Sequence, residues 1–348
     1  IPLDIYYHKG HEFNLDRMVA SMRATLQDFS TRYSPFQFKQ FRIVEFPRYS
    51  QFAQAFPATI PFSENIGFIL RAGTTADDID TPFYVTSHEI AHQWWFHQVV
   101  GADVQGATML SESLANYSAI LVMEQTFGSG NIRKFLRQQL DGYLVGRGRE
   151  AKAERPLMRV ENQMYIHYNK GSLALYALRD LIGDAAMNRA LRRFVADKAF
   201  QKPPFTTSRE LLGYLESETP DSLRYAIDDL FRTITLWDNS VEGGEVSKRP
   251  DGKYDVAIHV RTSKLRADSL GNERPIAMSD FIDVGVFGDN DPSSSLGKPL
   301  FLSKRRISAG DTTLHVVVDS PPRRVGIDPY NKLIDRNPGD NVLTVKSP

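Results

Sequence analysis

Residues able to bind a metal ion and to move a proton lie together at His88-Glu89-Ile-Ala-His92. Thr81 is suited to the N-cap position and Pro82 to the first helical position, which predicts that the helix carrying these residues starts here. Four residues make about 1.1 helical turns, so His88 and His92 lie on one face and can bind zinc through neutral imidazoles. Glu89 is placed to act as general base on water activated by the metal. The same spacing also fits a core helix with two hydrogen-bonded histidines.

A third metal ligand distinguishes these two interpretations, because a catalytic zinc needs three protein ligands and one open position. Residues 109–124 have helical periodicity, with Glu112 in the first turn, where the helix dipole favours a carboxylate even without a metal. Nineteen residues separate His92 from Glu112, enough for a helix end, a loop and the next helix start. His97 and Asp103 are rival ligands, although no familiar zinc spacing uses them.

Four segments resemble, in the same order, motifs of the zinc aminopeptidases of the aminopeptidase N and leukotriene hydrolase type. These segments are 62–67, 88–94, 110–115 and 168–171. The resemblance implies one Zn²⁺ per chain, bound by His88, His92 and Glu112, with Glu89 as general base and a peptide as substrate. The spacing from His92 to Glu112 is one residue longer than in that family and matches the thermolysin-like spacing.

The resemblance also implies two further functional positions. Tyr168 matches the family's catalytic tyrosine, whose hydroxyl stabilises the oxyanion of the transition state. Glu64 and Asn65 match the exopeptidase motif, although Ser63 replaces its methionine, and imply a site for the substrate's α-ammonium group. We expect Glu64 and Asn65 at the entry of a strand over 66–70, whose edge pairs with an extended peptide.

Composition and periodicity predict an α+β chain with two domains. We expect a thermolysin-like zinc peptidase domain, mainly helical, over residues 1–235, and a β-sandwich domain over 236–348. Helices are predicted at 14–32, 131–143, 167–181, 184–199, 208–217 and 222–234, and strands at 41–46, 66–70, 254–262, 281–287, 300–303 and 313–319. Residues 241–244 are turn-rich, and Asp251-Gly252 predicts a hairpin.

Charge and cysteine content exclude several classes of protein. Lys plus Arg and Asp plus Glu each number 42, which gives no electrostatic argument for binding nucleic acid or a membrane surface. The absence of cysteine excludes disulfides and thiol catalysis and leaves the compartment open. The sequence has no run of about 18 apolar residues, so we expect no membrane contact from this chain.

The chain begins at Ile1 without an initiator methionine, so we expect it to be a piece of a longer protein. It resembles the peptidase-like domains appended to some bacterial transporter-type permeases. This implies an extracytoplasmic domain of a bacterial membrane protein, with the cytoplasm as the alternative location and a membrane-embedded parent chain.

An aminopeptidase that removes N-terminal residues is the function that these observations favour, and two alternatives stay open. A zinc endopeptidase of the same superfamily keeps the catalytic residues without using Glu64 to bind an amine. A non-enzymatic interaction or sensor domain of a transporter keeps only the fold. The intact Glu89 argues against the second alternative, because a decayed enzyme is free to lose its general base.

Overall fold

The computed structural model describes residues 1–73, 78–291 and 294–346, which form an α+β fold. The chain divides into two compact units, the first comprising Ile1–Phe127 and Leu157–Ile227 and the second comprising Gly128–Pro156 and Asp228–Pro348. Segment 128–156 therefore groups with the C-terminal part of the chain, although the sequence places it in the first domain. The domain limits 1–235 and 236–348 stay a prediction.

Most helices lie close to the predicted ranges, but the predicted helix at 222–234 is α-helical only at Arg224–Ile227 and continues as a π turn at Asp228–Arg232. The α-helices are α1 (Leu15–Arg32), α2 (Thr81–Ala91), α3 (Leu114–Phe127), α4 (Ile132–Arg149), α5 (Gly171–Ile182), α6 (Asp184–Lys198), α7 (Ser208–Ser217) and α8 (Arg224–Ile227). Short 3₁₀ turns lie at Ser129–Asn131, Leu157–Arg159 and Asp221–Leu223. Across the described part of the chain, no helix is long and apolar enough to cross a membrane.

Helix α2 is the central helix of the first unit and is buried on most of its surface. Its N-cap is Asp80, whose side chain accepts a hydrogen bond from the Phe83 amide at 3.1 Å, so the prediction of Thr81 as cap is wrong by one residue. An aspartate carboxylate accepts such a bond more strongly than a threonine hydroxyl. Helix α1 lies against α2, and Thr25 Oγ1 donates to Ser87 Oγ at 2.9 Å.

A three-stranded parallel sheet accompanies these helices. Its strands are β1 (Leu3–Tyr6), β2 (Phe41–Phe46) and β3 (Thr59–Ser63), in that order. The predicted strand at 66–70 is wrong, because the chain turns after Ser63. Gly67 lies against the Phe62 ring, and the Asn14 side chain donates to the Gly67 carbonyl at 2.7 Å, which stabilises the turn. Glu64 and Asn65 therefore follow a strand rather than precede one.

The second unit contains antiparallel sheets. One has the order β11 (Val342–Thr344), β10 (Arg324–Ile327), β7 (Ser279–Phe287) and β8 (Pro299–Ser308). In the other, β5 (Tyr254–Ala267) pairs with β4 (Ile234–Lys248), β6 (Glu273–Ile276) and β9 (Gly310–Val318). Strand β4 continues through the predicted turn at 241–244 with only a bulge, because β5 supplies a continuous partner. The predicted hairpin at Asp251-Gly252 joins β4 to β5, with Gly252 at φ 85°.

Two π-helical turns interrupt the predicted helices of the first unit, at Met109–Ser113 before α3 and at Tyr165–Lys170 before α5. A π turn inserts one extra residue per turn and is frequent at functional sites. Ser113 Oγ donates to the His167 carbonyl at 2.6 Å, and Asn116 Nδ2 donates to the Tyr168 carbonyl at 2.9 Å. The first turn and the start of α3 thus provide side-chain donors for carbonyls of the second turn.

Gly171 permits this close approach of the two π turns. A Cβ atom at Gly171 lies 2.1 Å from Ser113 Oγ and 2.5 Å from Ser113 Cβ, whereas one at Gly213 in α7 meets no atom within 4 Å. We expect Gly171→Ala to lower the free energy of unfolding by about 1 to 3 kcal/mol through overpacking. The matched control Gly213→Ala should raise it by about 0.5 to 1 kcal/mol, because alanine restricts the unfolded chain. Urea unfolding measures both, and equal stability of Gly171→Ala and wild type contradicts the packing argument.

Candidate metal centre and active site

Three side chains from two separate elements converge in the first unit. His88 and His92 project from α2, and Glu112 comes from the π turn before α3. The two histidine Nε2 atoms lie 3.2 Å apart, and each lies 3.3 Å from Glu112 Oε2. Glu112 Oε2 is buried and makes no hydrogen bond within the described residues. The predicted third ligand is therefore brought to the histidine pair, while the rivals His97 and Asp103 are outside this cluster.

These separations fit zinc. Tetrahedral zinc with bonds of about 2.0 to 2.2 Å places its ligand atoms about 3.3 to 3.6 Å apart. A second group of potential ligands, formed by His11, Glu45 and Glu64, does not fit in the same way. His11 Nδ1 lies 2.5 Å from Glu45 Oε1, which is a hydrogen-bonded ion pair with no room for a shared metal. The His88, His92 and Glu112 cluster thus has the donor types and the spacing of a zinc site.

The orientation of His92 is set by its other ring nitrogen. Nδ1 lies 3.1 Å from the Trp95 carbonyl, and donation of the Nδ1 proton to that oxygen leaves the Nε2 lone pair facing His88 and Glu112. Trp95 is itself fixed, since it is fully buried and its indole N–H donates to Ser118 Oγ at 2.9 Å. The chain that follows α2 therefore determines the direction in which His92 can bind a metal.

Glu89 is buried beside the candidate ligands. Burial raises the pKa of its carboxyl, and the neighbouring His88 and His92 oppose that rise. The backbone of Ala55 also acts to lower the pKa of Glu89. A buried carboxylate whose pKa is raised has the properties of a general base.

Tyr168 lies beside the candidate ligand His88 and lines the same pocket as Glu89. Its ring centroid is 5.6 Å from that of His88, and its hydroxyl hydrogen-bonds to the Glu112 side chain. Burial and the charge of Glu112 raise the pKa of Tyr168, so the phenol keeps its proton and can donate it in a hydrogen bond. The His167 ring packs on Tyr168 at 4.5 Å, and burial lowers the pKa of His167 to about 4, which keeps that ring neutral near pH 7.

A pocket of about 310 Å³ opens over the candidate ligands. Besides His88, Glu89, His92, Glu112 and Tyr168, it is lined by Phe52, Ala53, Gln54, Ala55, Phe96 and Ser111. The sequence interpretation missed segment 52–55. Phe52-Ala-Gln-Ala-Phe56 has one polar residue and no apolar–polar alternation, so its sequence gives no strand signal.

Residues 52–56 form a ribbon that covers the outer edge of β3. Ser63 donates to the Phe52 carbonyl at 3.0 Å, and the Gln54 amide donates to the Pro61 carbonyl at 3.2 Å. The amide and carbonyl of Ala53 point the opposite way and take part in no hydrogen bond within the described chain. The chain's own residues therefore occupy the edge of β3. The predicted pairing of a peptide with the edge of a strand over 66–70 is wrong for another reason, because residues 66–70 form no strand.

Gln93, directly after the metal motif, ties this ribbon to α2. Its side chain donates to the Phe56 carbonyl at 3.0 Å and accepts from the Ala58 amide at 3.0 Å. The ribbon and the candidate ligands are thus positioned by neighbouring residues of one segment.

The two predicted substrate-binding residues lie elsewhere. Neither Glu64 nor Asn65 is among the residues that line the pocket. Glu64 Oε2 lies 3.9 Å from His11 Nδ1, and Glu64 Oε1 lies 3.8 Å from Arg48 Nε. The turn after β3 directs Glu64 towards these cations, so the structure brings Glu89 and Tyr168 to the candidate ligands but not Glu64 or Asn65.

Comparison with known families matches residues 13–230, more than half of the chain, to the peptidase family M1 domain. The chain therefore belongs to peptidase family M1, and the resemblance to zinc aminopeptidases of the aminopeptidase N type is confirmed at the level of the family. No curated protein sequence matches the chain.

Solved structures with a similar fold include aminopeptidase A from Legionella pneumophila in complex with aspartic acid. The TM-score is 0.60 at 16% identity, over 95% of this chain and 36% of that one. An M1 zinc metallopeptidase from Deinococcus radiodurans gives a TM-score of 0.47 at 21% identity, over 66% of this chain and 47% of that one. The present chain thus spans less than half the length of either protein, and at these identities the similarity concerns the fold.

Metal content tests the candidate ligands directly. We expect the purified chain to bind close to one zinc ion, because three donors are preorganised. His92→Ala and Glu112→Ala should each lose most of the metal after dialysis, measured by atomic emission. His97→Ala is the matched control and should keep it, since His97 Nε2 lies 3.4 Å from the Ala55 carbonyl and outside the cluster. Retention of zinc by His92→Ala with loss in His97→Ala reverses the ligand assignment.

Proposed function

We propose that this chain is a zinc-dependent peptidase that hydrolyses peptide bonds by activating water. The convergence of the His88, His92 and Glu112 ligand atoms at 3.2 to 3.3 Å, beside the buried Glu89, carries this proposal. Membership of peptidase family M1 supports it. We also propose that the first unit is a thermolysin-like domain, that the second is a β-sandwich, and that one zinc ion binds per chain.

Each residue of the candidate site has its own role in the proposed hydrolysis. Zinc held by His88, His92 and Glu112 would polarise the scissile carbonyl and lower the pKa of water. The Glu89 carboxylate takes a proton from the attacking water and gives it to the leaving nitrogen. The Tyr168 hydroxyl turns from Glu112 towards the developing oxyanion and donates a hydrogen bond to it. Burial of Glu89 and Tyr168 strengthens both interactions, because the low local dielectric weakens competition from water.

We propose that the substrate backbone lies along the ribbon formed by residues 52–56. The Ala53 amide and carbonyl face away from β3 and can pair with an extended peptide as one more strand would. Ala55, two residues further on, lines the pocket together with Glu89, so a peptide paired with Ala53 lies next to the general base. Main-chain pairing of this kind accepts many side chains, which suits a peptidase.

The pocket favours an endopeptidase over an aminopeptidase. Within the described residues, the carboxylates that line it are Glu89 and Glu112, which act as base and ligand. An α-ammonium group needs a further anion, and Glu64 is directed instead to His11 and Arg48. We therefore propose that cleavage does not depend on a free N-terminus. An extracytoplasmic location and attachment to a transporter-type parent stay predictions, as does the non-enzymatic alternative.

Two conservative substitutions test the catalytic roles of Glu89 and Tyr168 without disturbing the fold. Glu89→Gln should keep the zinc and lose turnover, because an amide cannot take the proton from water. Tyr168→Phe removes one hydroxyl and should lower kcat about 10²-fold or more, with zinc content and unfolding temperature unchanged. Steady-state kinetics on a fluorogenic peptide measure both. Turnover by Glu89→Gln at the wild-type rate excludes it as the base, and a Tyr168→Phe variant within about threefold of wild type assigns Tyr168 to packing.

Substrate acetylation tests the endopeptidase proposal. Peptides that differ only in a free or acetylated N-terminus should be cleaved with kcat/KM within about threefold of each other, because the pocket offers no anion for the amine. Glu64→Ala should leave both values unchanged. A loss of about tenfold or more on acetylation of the substrate, absent from Glu64→Ala, restores the aminopeptidase assignment. Hydrolysis of neither peptide by the zinc-loaded chain supports the non-enzymatic alternative.

A further inference from the structure

Phe96 adopts a backbone conformation that bulky side chains rarely take, with φ 144°. The cause lies in the residues before it. Trp94 and Trp95 are both fully buried, and their indole N–H groups donate to Ser34 and Ser118 at 2.9 Å. The Phe96 amide donates to the Trp94 carbonyl at 3.2 Å, which closes a sharp turn after α2. Glycine adopts this conformation without strain.

Burial of the Phe96 ring in the core does not offset this strain, because 53% of the residue's surface is exposed. Its neighbours Trp94 and Trp95 already fill the core on either side of the turn. Strain retained at an exposed position points to a role outside the core, since a glycine would form the same turn at lower cost. Phe96 is among the residues that line the pocket with His92 and Glu112, which places that role at the candidate active site.

A second exposed aromatic residue, Phe52, lines the same pocket. Its surface is 41% exposed, and its ring is supported by the Phe46 ring at a centroid distance of 4.9 Å. Phe52 precedes Ala53, which also lines the pocket and whose backbone groups face away from β3. The Phe96 ring lies against the His97 ring at a centroid distance of 5.4 Å, so each phenylalanine has a supporting ring. Aromatic rings beside a backbone-pairing position suit recognition of a peptide side chain.

The other residues that line the pocket indicate which kind of substrate side chain it can bind. Apart from the candidate ligands, Glu89 and Tyr168, the pocket is lined by phenylalanine, alanine, glutamine and serine, none of which carries a charge. A charged substrate side chain would lose hydration there without gaining an opposite charge. A large apolar side chain would bury its own surface and the exposed parts of both rings.

We propose that Phe96 and Phe52 form a subsite for a large apolar or aromatic side chain of the substrate, next to the scissile bond. The proposal rests on the proposed peptidase function and specifies the class of substrate. The backbone strain at Phe96 is retained because it presents the ring to that side chain.

Peptide binding to an inactive variant tests the proposed subsite independently of peptidase activity. The full chain carrying Glu89→Gln is loaded with zinc and titrated calorimetrically with two blocked peptides, identical except for phenylalanine or alanine on both sides of the central bond. We expect the phenylalanine peptide to bind about tenfold or more tightly than the alanine peptide. Adding Phe96→Ala or Phe52→Ala should reduce that ratio to within about threefold, without changing affinity for the alanine peptide.

Two further variants control for folding and for loss of any exposed phenylalanine. Phe96→Gly should raise the unfolding temperature by relieving strain and still lose the preference, which separates recognition from stability. Phe200 is the matched control, because it too has positive φ, at 56°, is 66% exposed and does not line the pocket. Phe200→Ala should keep the full preference.

Hydrolysis of the same two peptides by the chain with Glu89 intact is measured in parallel. A binding preference without hydrolysis overturns the peptidase proposal and leaves the subsite in place. Equal binding of both peptides, binding of neither, or a preference that survives both Phe96→Ala and Phe52→Ala overturns the subsite.

Discussion

The hydrogen bond from Ser113 to the His167 carbonyl is the contact on which the candidate site depends most. It joins the two π-helical turns at 2.6 Å, and Gly171 leaves the room that this distance requires. One turn carries Glu112 and the other carries Tyr168. Together with the hydrogen bond from Asn116 to the Tyr168 carbonyl, this contact holds the carboxylate and the phenol beside the same histidine pair.

The extra residue in each π turn has a physical role here. A π turn loses regular helix geometry and is stable only where tertiary contacts compensate. In this protein the compensating contacts are hydrogen bonds from the side chains of Ser113 and Asn116 to carbonyls of the second π turn. Both side chains are buried, so water cannot replace them as donors. The π turn that carries Glu112 places its Oε2 atom at equal distances from the Nε2 atoms of His88 and His92. The irregular helix geometry therefore sets the spacing of the candidate ligand atoms.

The segment around residues 52–56 gives the pocket a character that the motif pattern did not predict. It covers the edge of β3, its residues 52–55 line the pocket together with Glu89, and Gln93 holds it to α2. Glu64 lies in the turn after β3, where its carboxylate is 3.9 Å from His11 Nδ1 and 3.8 Å from Arg48 Nε. The likeness of Glu64 to the exopeptidase motif therefore has no counterpart in the pocket.

The sequence by itself determined what depends on neighbouring residues. Helical spacing placed His88, Glu89 and His92, periodicity located α1, α6 and α7 almost to the residue, and Asp251-Gly252 located a hairpin. Only the tertiary structure decided the parallel sheet, the π turns, the ribbon over β3 and the position of Glu64. Most of these features depend on distant partners, such as Ser113 and His167, which are 54 residues apart in the chain. A local pattern carries no information about which distant partner a backbone group will meet.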